Sequence, residues 1–228
     1  MEIIIFARYW EPGCVKTRLC PPLTTNEAAR LNRVCLDVLV ARLCELRGFT
    51  LTIAYEPVTA HAFFSERYPA VALVPQQGME LGDKLFALAT VRPTPCLFTG
   101  SDCPTTPLLF FQQAAAVLGK GSDLVFCPTE DGGTCILGAQ PRHADWYRDI
   151  PWSSGREHRV LAAKARMHHW RLEQLELWHD LDRPADVPRT LRELLAERDK
   201  VSESDVEFLS TLGHRVEQWL EEQRKGAA

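Results

Sequence analysis

Carboxylates recur in this chain where apolar runs stop. "GSDCP" sets Asp102 directly after "PCLFTG", "EDGG" sets Glu130 and Asp131 after "LVFCP", and "HDLDRPAD" brings Asp180, Asp182 and Asp186 after "LEQLELW". A charge at the end of a buried strand needs compensation, so Asp102 requires a cation, backbone donors or water beside it. A basic loop near the start offers the complement. In "ARYWEPGCVKTRL", Arg8, Lys16 and Arg18 surround a Pro12-Gly13 turn in which glycine can take a positive φ. Cations and turn amides together fit a polyphosphate. Arg8, Gly13, Lys16 and Arg18 are therefore candidate phosphate-binding residues, although the stretch does not follow the Walker pattern. Mg²⁺ and Mn²⁺ take hard oxygen ligands, and Mg²⁺ is typically held by one or two carboxylates plus substrate phosphates. Asp102 is accordingly read as facing a metal that also touches the phosphates. Plainer readings stand beside these: a solvated basic loop, Asp186 as a helix N-terminal residue, and Glu130 or Asp131 as caps of a glycine turn.

These residues need a scaffold that gathers strand ends. "EIIIFA" is a short apolar run, and "NEAARLNRVCLDVLVARLCEL" carries Leu31, Val34, Cys35, Val38, Leu39, Leu43 and Leu46 at the spacing of one helical face. Thr24 and Glu27 form a capping box ahead of that helix. Strand-like "LTIAY", "AVALV", "PCLFTG", "DLVFCP", "TCILGA" and "LEQLELW" alternate with helix-like "AHAFFSERY", "LGDKLFALATV", "LLFFQQAAAVLG" and "RVLAAKARM". Apolar runs separated by helices predict a three-layer α/β/α fold with a mostly parallel sheet, whose ligand lies at the carboxyl ends of the strands. Residues 1–200 are expected to form the nucleotide-binding transferase domain, and residues 201–228 an appended amphipathic helix. Its stripe of Val206, Leu209, Leu212, Val216 and Leu220 packs on that domain or on a second copy of the chain as a homo-oligomer.

Composition narrows the function. The 228 residues are 46% hydrophobic and 25% charged with a net charge of -4, which argues against a nucleic-acid surface. No apolar run approaches the roughly 18 residues of a membrane helix. "MEIIIFARYW" does not read as an export signal, so the expected location is the cytoplasm. None of the eight cysteines pairs in C-x-x-C spacing, and most are read as small hydrophobes. Cys103, next to Asp102, is the exception.

"IFARYWEPGCVKTRL", "GSDCP", "EDGGTCILG", "IPWS" and "DLDRPAD", in this order over residues 1–190, resemble the rSAM/selenodomain-associated transferase family. That resemblance implies a GT-A, nucleotide-diphospho-sugar transferase type of fold. It also implies a metal-dependent transferase that takes a nucleotide-activated donor. The first loop and the last aspartates are similar, too, to those of nucleotidyltransferases such as phospholactate guanylyltransferase. By this likeness Lys16 and Arg18 hold donor phosphates, and Asp102 and Asp182 bind Mg²⁺ or Mn²⁺. "QQGMELGDKL" resembles the family's loop before the third helix, which brings Gln76 to the nucleotide and Glu80 and Asp83 near the cleft. Thr134 and Cys135 follow Gly133 where members commonly carry an aromatic residue.

Three functions are compatible with these residues. A glycosyltransferase would pass sugar from a nucleotide-sugar to a small-molecule acceptor, with Asp102 and Asp131 in the catalytic set and Asp131 as the base. A nucleotidyltransferase would join an NTP to a phosphorylated small molecule and release pyrophosphate. A nucleotide-binding module would do neither. Without metal, Asp102 and Asp182 are expected to repel each other.

Overall fold

The computed structural model of the protein describes residues 1–226. Strands and helices follow one another largely as the apolar rhythm predicts, with α6 an element outside the expected runs: β1 (Glu2–Arg8), α1 (Thr25–Cys44), β2 (Thr50–Glu56), α2 (His61–Arg67), β3 (Ala72–Pro75), α3 (Leu81–Thr90), β4 (Cys96–Gly100), α4 (Leu108–Gly119), β5 (Leu124–Pro128), β6 (Thr134–Ala139), α5 (Glu157–Met167), β7 (Leu172–Gln174), α6 (Val187–Ala196) and α7 (Glu203–Gly226). The sheet has seven strands in the order β3-β2-β1-β4-β6-β5-β7. It is mostly parallel, as expected: β1 runs parallel to β4, β2 to β3 and β5 to β7, while β6 lies antiparallel between β4 and β5. Ile3, Ile4 and Ile5 of β1 and Leu124 to Cys127 of β5 are fully buried, as strands covered on both faces must be.

Two compact units share the chain. One comprises Met1–Ala7, Leu46–Gly100 and Thr106–His179, and the other Arg8–Glu45, Ser101–Thr105 and Asp180–Ala228. In the first unit, Phe98, Phe126, Trp146, Tyr147, Leu161 and Leu137 form the heart of an apolar core. Gly138 of β6 lacks a side chain there because a β-carbon would sit 2.7 Å from Leu97 and 2.9 Å from Val125. The end of the chain's last apolar run departs from expectation. "LEQLELW" pairs as regular strand only over Leu172–Gln174, after which Leu175 and Trp178 donate singly to Phe126 and Pro128. Leu177 points outward, 58% exposed, so the alternation a half-buried strand needs is broken.

The second unit is helical. Leu31, Val34, Cys35 and Val38 of α1 pack with Val187, Leu191 and Leu194 of α6 and Leu209, Leu212 and Val216 of α7. The expected capping box starts α1: Thr24 N donates to Glu27 Oε2 at 2.8 Å, and Glu27 N donates to Thr24 Oγ1 at 3.3 Å. The apolar stripe of the C-terminal helix is thus covered in part by this chain's own α1 and α6. Among the described residues no helix is long and apolar enough to cross a membrane.

Asp205 pins the start of α7. Its carboxylate, 7% exposed, accepts from Arg30 Nε at 2.9 Å, Arg33 Nη2 at 2.7 Å and Ser202 Oγ at 2.7 Å. Burial pushes its pKa up, but Ser202, Arg33 and Arg30 outweigh this and hold it below 3.8. The ionised form therefore favours folding at every pH above 3.8, a contribution that fades as pH falls through the folded value. Asp205→Asn is expected to be about 2 kcal/mol less stable than wild type at neutral pH. Urea melts down to pH 3 should show that gap narrowing, and a gap constant with pH would deny the carboxylate this role.

Candidate functional site

β1 and β4 lie side by side with Phe6 opposite Gly100, so both chains leave the sheet at the same edge. The loops they enter belong to the second unit, where the candidate residues converge. Lys16 Nζ meets Asp102 Oδ1 at 2.5 Å and also donates to the Leu181 carbonyl. Arg18 Nη1 meets Asp182 Oδ2 at 2.7 Å. Leu181 N donates to Asp102 O at 2.9 Å, which ties the "GSDCP" loop to "DLDRPAD" and brings Asp102 and Asp182 to neighbouring positions. The cation that Asp102 requires is thus Lys16. Asp102 and Asp182 do not face each other unscreened, because each has a cation from the basic loop.

The two pairs differ in burial. The Lys16 side chain is 6% exposed and Asp102 57%, whereas Arg18 and Asp182 are 65% and 29% exposed. Burial lowers the Lys16 pKa, but the adjacent Asp102 outweighs it and holds the ammonium above the usual lysine value. Lys16 itself is left-handed, with φ 51 and ψ 32, a backbone that a lysine adopts only when its surroundings impose it. Gly13 has φ 82, and a β-carbon there would meet nothing within 4 Å. Its glycine answers to the turn's backbone rather than to crowding. Arg8 is the exposed last residue of β1.

Side chains of α1 and α6 hold the Asp102 loop in place. Arg42, buried in α1, donates from Nη1 to Pro104 O at 2.9 Å and from Nε to Glu197 Oε1 at 2.9 Å. Thr105 Oγ1 donates to Glu193. Asp186 Oδ2 accepts from Asp182 N at 3.1 Å and Arg183 N at 2.6 Å, so it orients the turn that carries Asp182 and opens α6. Arg42 was readable: it stands four residues after Val38 and three after Leu39, on the face of α1 that faces the core, where a cation needs an internal partner. Leu181 O carried no such signal, because a backbone acceptor has no residue type. Cys35 and Cys103 are buried in the same unit, and burial pushes the Cys35 thiol up to about 12, so it acts as a neutral apolar side chain.

The remaining candidates lie in the first unit. Asp131 sits in the turn from β5 to β6, at the edge where β4 ends, and its Oδ1 accepts from Thr129 Oγ1 at 2.6 Å and Gly133 N at 2.9 Å. The turn packs on Ser153–His158: a β-carbon at Gly132 would lie 2.0 Å from Gly155 O, and His158 Nδ1 lies 2.8 Å from Gly132 O. Gln76 Nε2 donates to Ala54 O at 2.8 Å and Ala7 O at 3.3 Å, bridging the ends of β2 and β1. Glu80 precedes α3, and Asp83 lies in its first turn.

Asp102 and Asp182 present only hard oxygen donors. Among the described residues no group of three or more His, Cys, Asp or Glu side chains could hold a metal ion unaided. Two carboxylates suit Mg²⁺ or Mn²⁺ in the mode in which phosphates and water complete the shell, so the donor set fits that ion.

The fold is of the nucleotide-diphospho-sugar transferase type. Over 96% of this chain and 97% of the other, it superposes on a provisionally assigned nucleotide-diphospho-sugar transferase from Desulfovibrio desulfuricans G20, with a TM-score of 0.84 and 25% identity. More distant likenesses, at 11% identity, show the same fold. One is CMP:2-keto-3-deoxy-manno-octonic acid synthetase complexed with CTP, with a TM-score of 0.53 over 86% of this chain and 98% of that one. Another is molybdopterin-guanine dinucleotide biosynthesis protein A from Archaeoglobus fulgidus, with a TM-score of 0.55 over 83% and 96%. No curated protein matches this chain in sequence. Residues 39–154, just over half of the chain, match the family described as "Uncharacterized protein conserved in bacteria (DUF2064)", and the chain belongs to that family. The family and the fold agree with the resemblance drawn from the motifs to a GT-A-like transferase family.

Proposed function

We propose that this protein is a transferase using a nucleotide-activated donor, and within that class a glycosyltransferase acting on a small-molecule acceptor. The observation that carries this reading is the pairing of Lys16 with Asp102 and Arg18 with Asp182 within one unit, on loops that leave adjacent strand ends. Cations for phosphate and carboxylates for metal are thereby supplied together. The likeness to the Desulfovibrio protein over nearly the full length of both chains supports a nucleotide-diphospho-sugar as donor.

The residues divide the work by exposure. Arg18, with its planar fork open to water, binds donor phosphate, helped by Arg8, by Lys16 and by the turn at Gly13. Asp102 and Asp182 hold Mg²⁺ or Mn²⁺, which supplies neutralisation of the departing diphosphate when bound. The motif resemblance alone assigns Gln76 to nucleotide binding. Asp131 is exposed and fixed through one oxygen by Thr129 and Gly133, and it takes the acceptor's proton.

The leaving group tests this reading. Protein incubated with Mn²⁺, a nucleotide-sugar panel and candidate acceptors is expected to release nucleoside diphosphate only when an acceptor is present. Pyrophosphate released from a triphosphate, without sugar transfer, would instead assign nucleotidyl transfer. Binding without either product would leave a nucleotide-binding module.

A further inference from the structure

We infer that the pairs Lys16–Asp102 and Arg18–Asp182 form an internal charge latch that makes donor phosphate and divalent metal bind together and resists either alone. The inference rests on the proposed donor site and adds a regulation to it.

Each group that would bind a ligand already holds its opposite. Lys16 Nζ lies 2.5 Å from Asp102 Oδ1, and Arg18 Nη1 lies 2.7 Å from Asp182 Oδ2. A metal ion approaching Asp102 or Asp182 meets a resident cation, and a phosphate approaching Arg18 or Lys16 meets a resident carboxylate. Either ligand by itself must break a pair and leave one charge without its partner. With both present, cations pass to phosphate and carboxylates to metal, so no charge is stranded. That exchange is the physical content of positive coupling between two ligands.

The pairs are also joined mechanically. Lys16 holds the Leu181 carbonyl as well as Asp102, and Leu181 N holds Asp102 O, one residue ahead of Asp182. Movement of Lys16 therefore loosens the backbone that carries both carboxylates. Arg18–Asp182 is the outer pair and opens first, since exposed ion pairs contribute little. Lys16–Asp102 is the inner one, with its ammonium 6% exposed and its backbone left-handed at φ 51.

The test uses each ligand alone, on the whole protein. Mn²⁺ without nucleotide is titrated calorimetrically into wild type, Lys16→Met and Arg18→Gln, and pyrophosphate in excess EDTA into wild type and Asp182→Asn. Removing a latch cation is expected to tighten Mn²⁺ binding about tenfold, and Asp182→Asn to tighten metal-free pyrophosphate binding by about fivefold or more. Arg215→Gln removes an equal charge from the same unit, at Glu27, and is expected to leave Mn²⁺ affinity unchanged, which separates the latch from a general change in net charge. Arg18→Gln alters an exposed pair and keeps the test available if Lys16→Met does not fold. Variants that bind their single ligands no tighter than wild type overturn the latch. A separate melt of wild type with nucleotides plus Mn²⁺ tests the donor site. A melting shift there with no tightening in the variants leaves the function standing and removes the latch, whereas tightening without any nucleotide shift supports the latch and removes the function.

Discussion

Asp102→Asn is expected to abolish metal-dependent nucleotide binding and also to weaken the unliganded fold. The amide keeps the size of the side chain and can still accept from Lys16, but it removes the negative charge opposite an ammonium that is 6% exposed. Breaking a fully buried pair by removing one partner costs about 3 to 5 kcal/mol. Asp102 is 57% exposed, and water takes over part of its role. The cost is therefore discounted to about 2 kcal/mol, which for a chain of this size lowers Tm by about 4 to 8 °C. Without the structure the opposite sign is expected, because two carboxylates meeting without metal repel. The Lys16 contact reverses it. Because the pair holds the Lys16 pKa above 10.5, the ammonium's contribution is complete at neutral pH and is lost on the alkaline side, as pH rises through the raised value. Scanning fluorimetry with and without nucleotide and Mn²⁺ reads both effects. Lys16→Met combined with Asp102→Asn removes both charges and is expected to be more stable than the sum of the single changes predicts. An Asp102→Asn protein as stable as wild type that keeps its metal-dependent shift would remove Asp102 from the site altogether.

Gly132→Ala is expected to give the larger loss of stability. The residue has φ 98, and its β-carbon would lie 2.0 Å from Gly155 O, a backbone atom that cannot turn aside. Either the turn carrying Asp131 or the segment Ser153–His158 must move, at the expense of the His158 contact to Gly132 O. Strained backbone and a forced displacement together are expected to cost about 3 kcal/mol or more, or about 6 to 12 °C in Tm. Gly13→Ala is the control: φ is also positive there, at 82, but nothing lies within 4 Å of the added carbon. Its expected cost is about 1 kcal/mol, from the backbone alone. Equal melting temperatures for the two variants would mean that the turn is not held against Gly155.

What was legible in the sequence is what local chemistry writes down. The apolar runs fix the strands, Thr24 and Glu27 announce α1, and Gly13 and Gly132 mark turns whose φ values are indeed positive. The convergence of the first loop with "GSDCP" and "DLDRPAD" follows from placing ligands at strand ends. Which charge meets which does not follow. Lys16 and Asp102 are far apart in sequence, and their contact depends on the left-handed backbone at Lys16 and on the Leu181 carbonyl, neither of which a residue type encodes. Asp131 shows the same limit. The glycines that follow it announce a turn, but only the structure reveals that Oδ1 is occupied by Thr129 and Gly133.

The unit that contains Lys16, Asp102 and Asp182 is assembled from three separate stretches of chain: Arg8–Glu45, Ser101–Thr105 and Asp180–Ala228. Its apolar core joins Leu31 and Val34 of the first stretch to Leu181, Leu191 and Leu212 of the last. During synthesis, α1 must therefore wait for well over a hundred residues before its partners leave the ribosome, with its apolar face uncovered in the meantime. Contacts of such sequence separation carry the highest loop-closure cost and form late. Lys16, Asp102 and Asp182 are expected to acquire their mutual geometry only in this last step, so a nascent or truncated chain can pair its strands and still lack the groups of the proposed donor site.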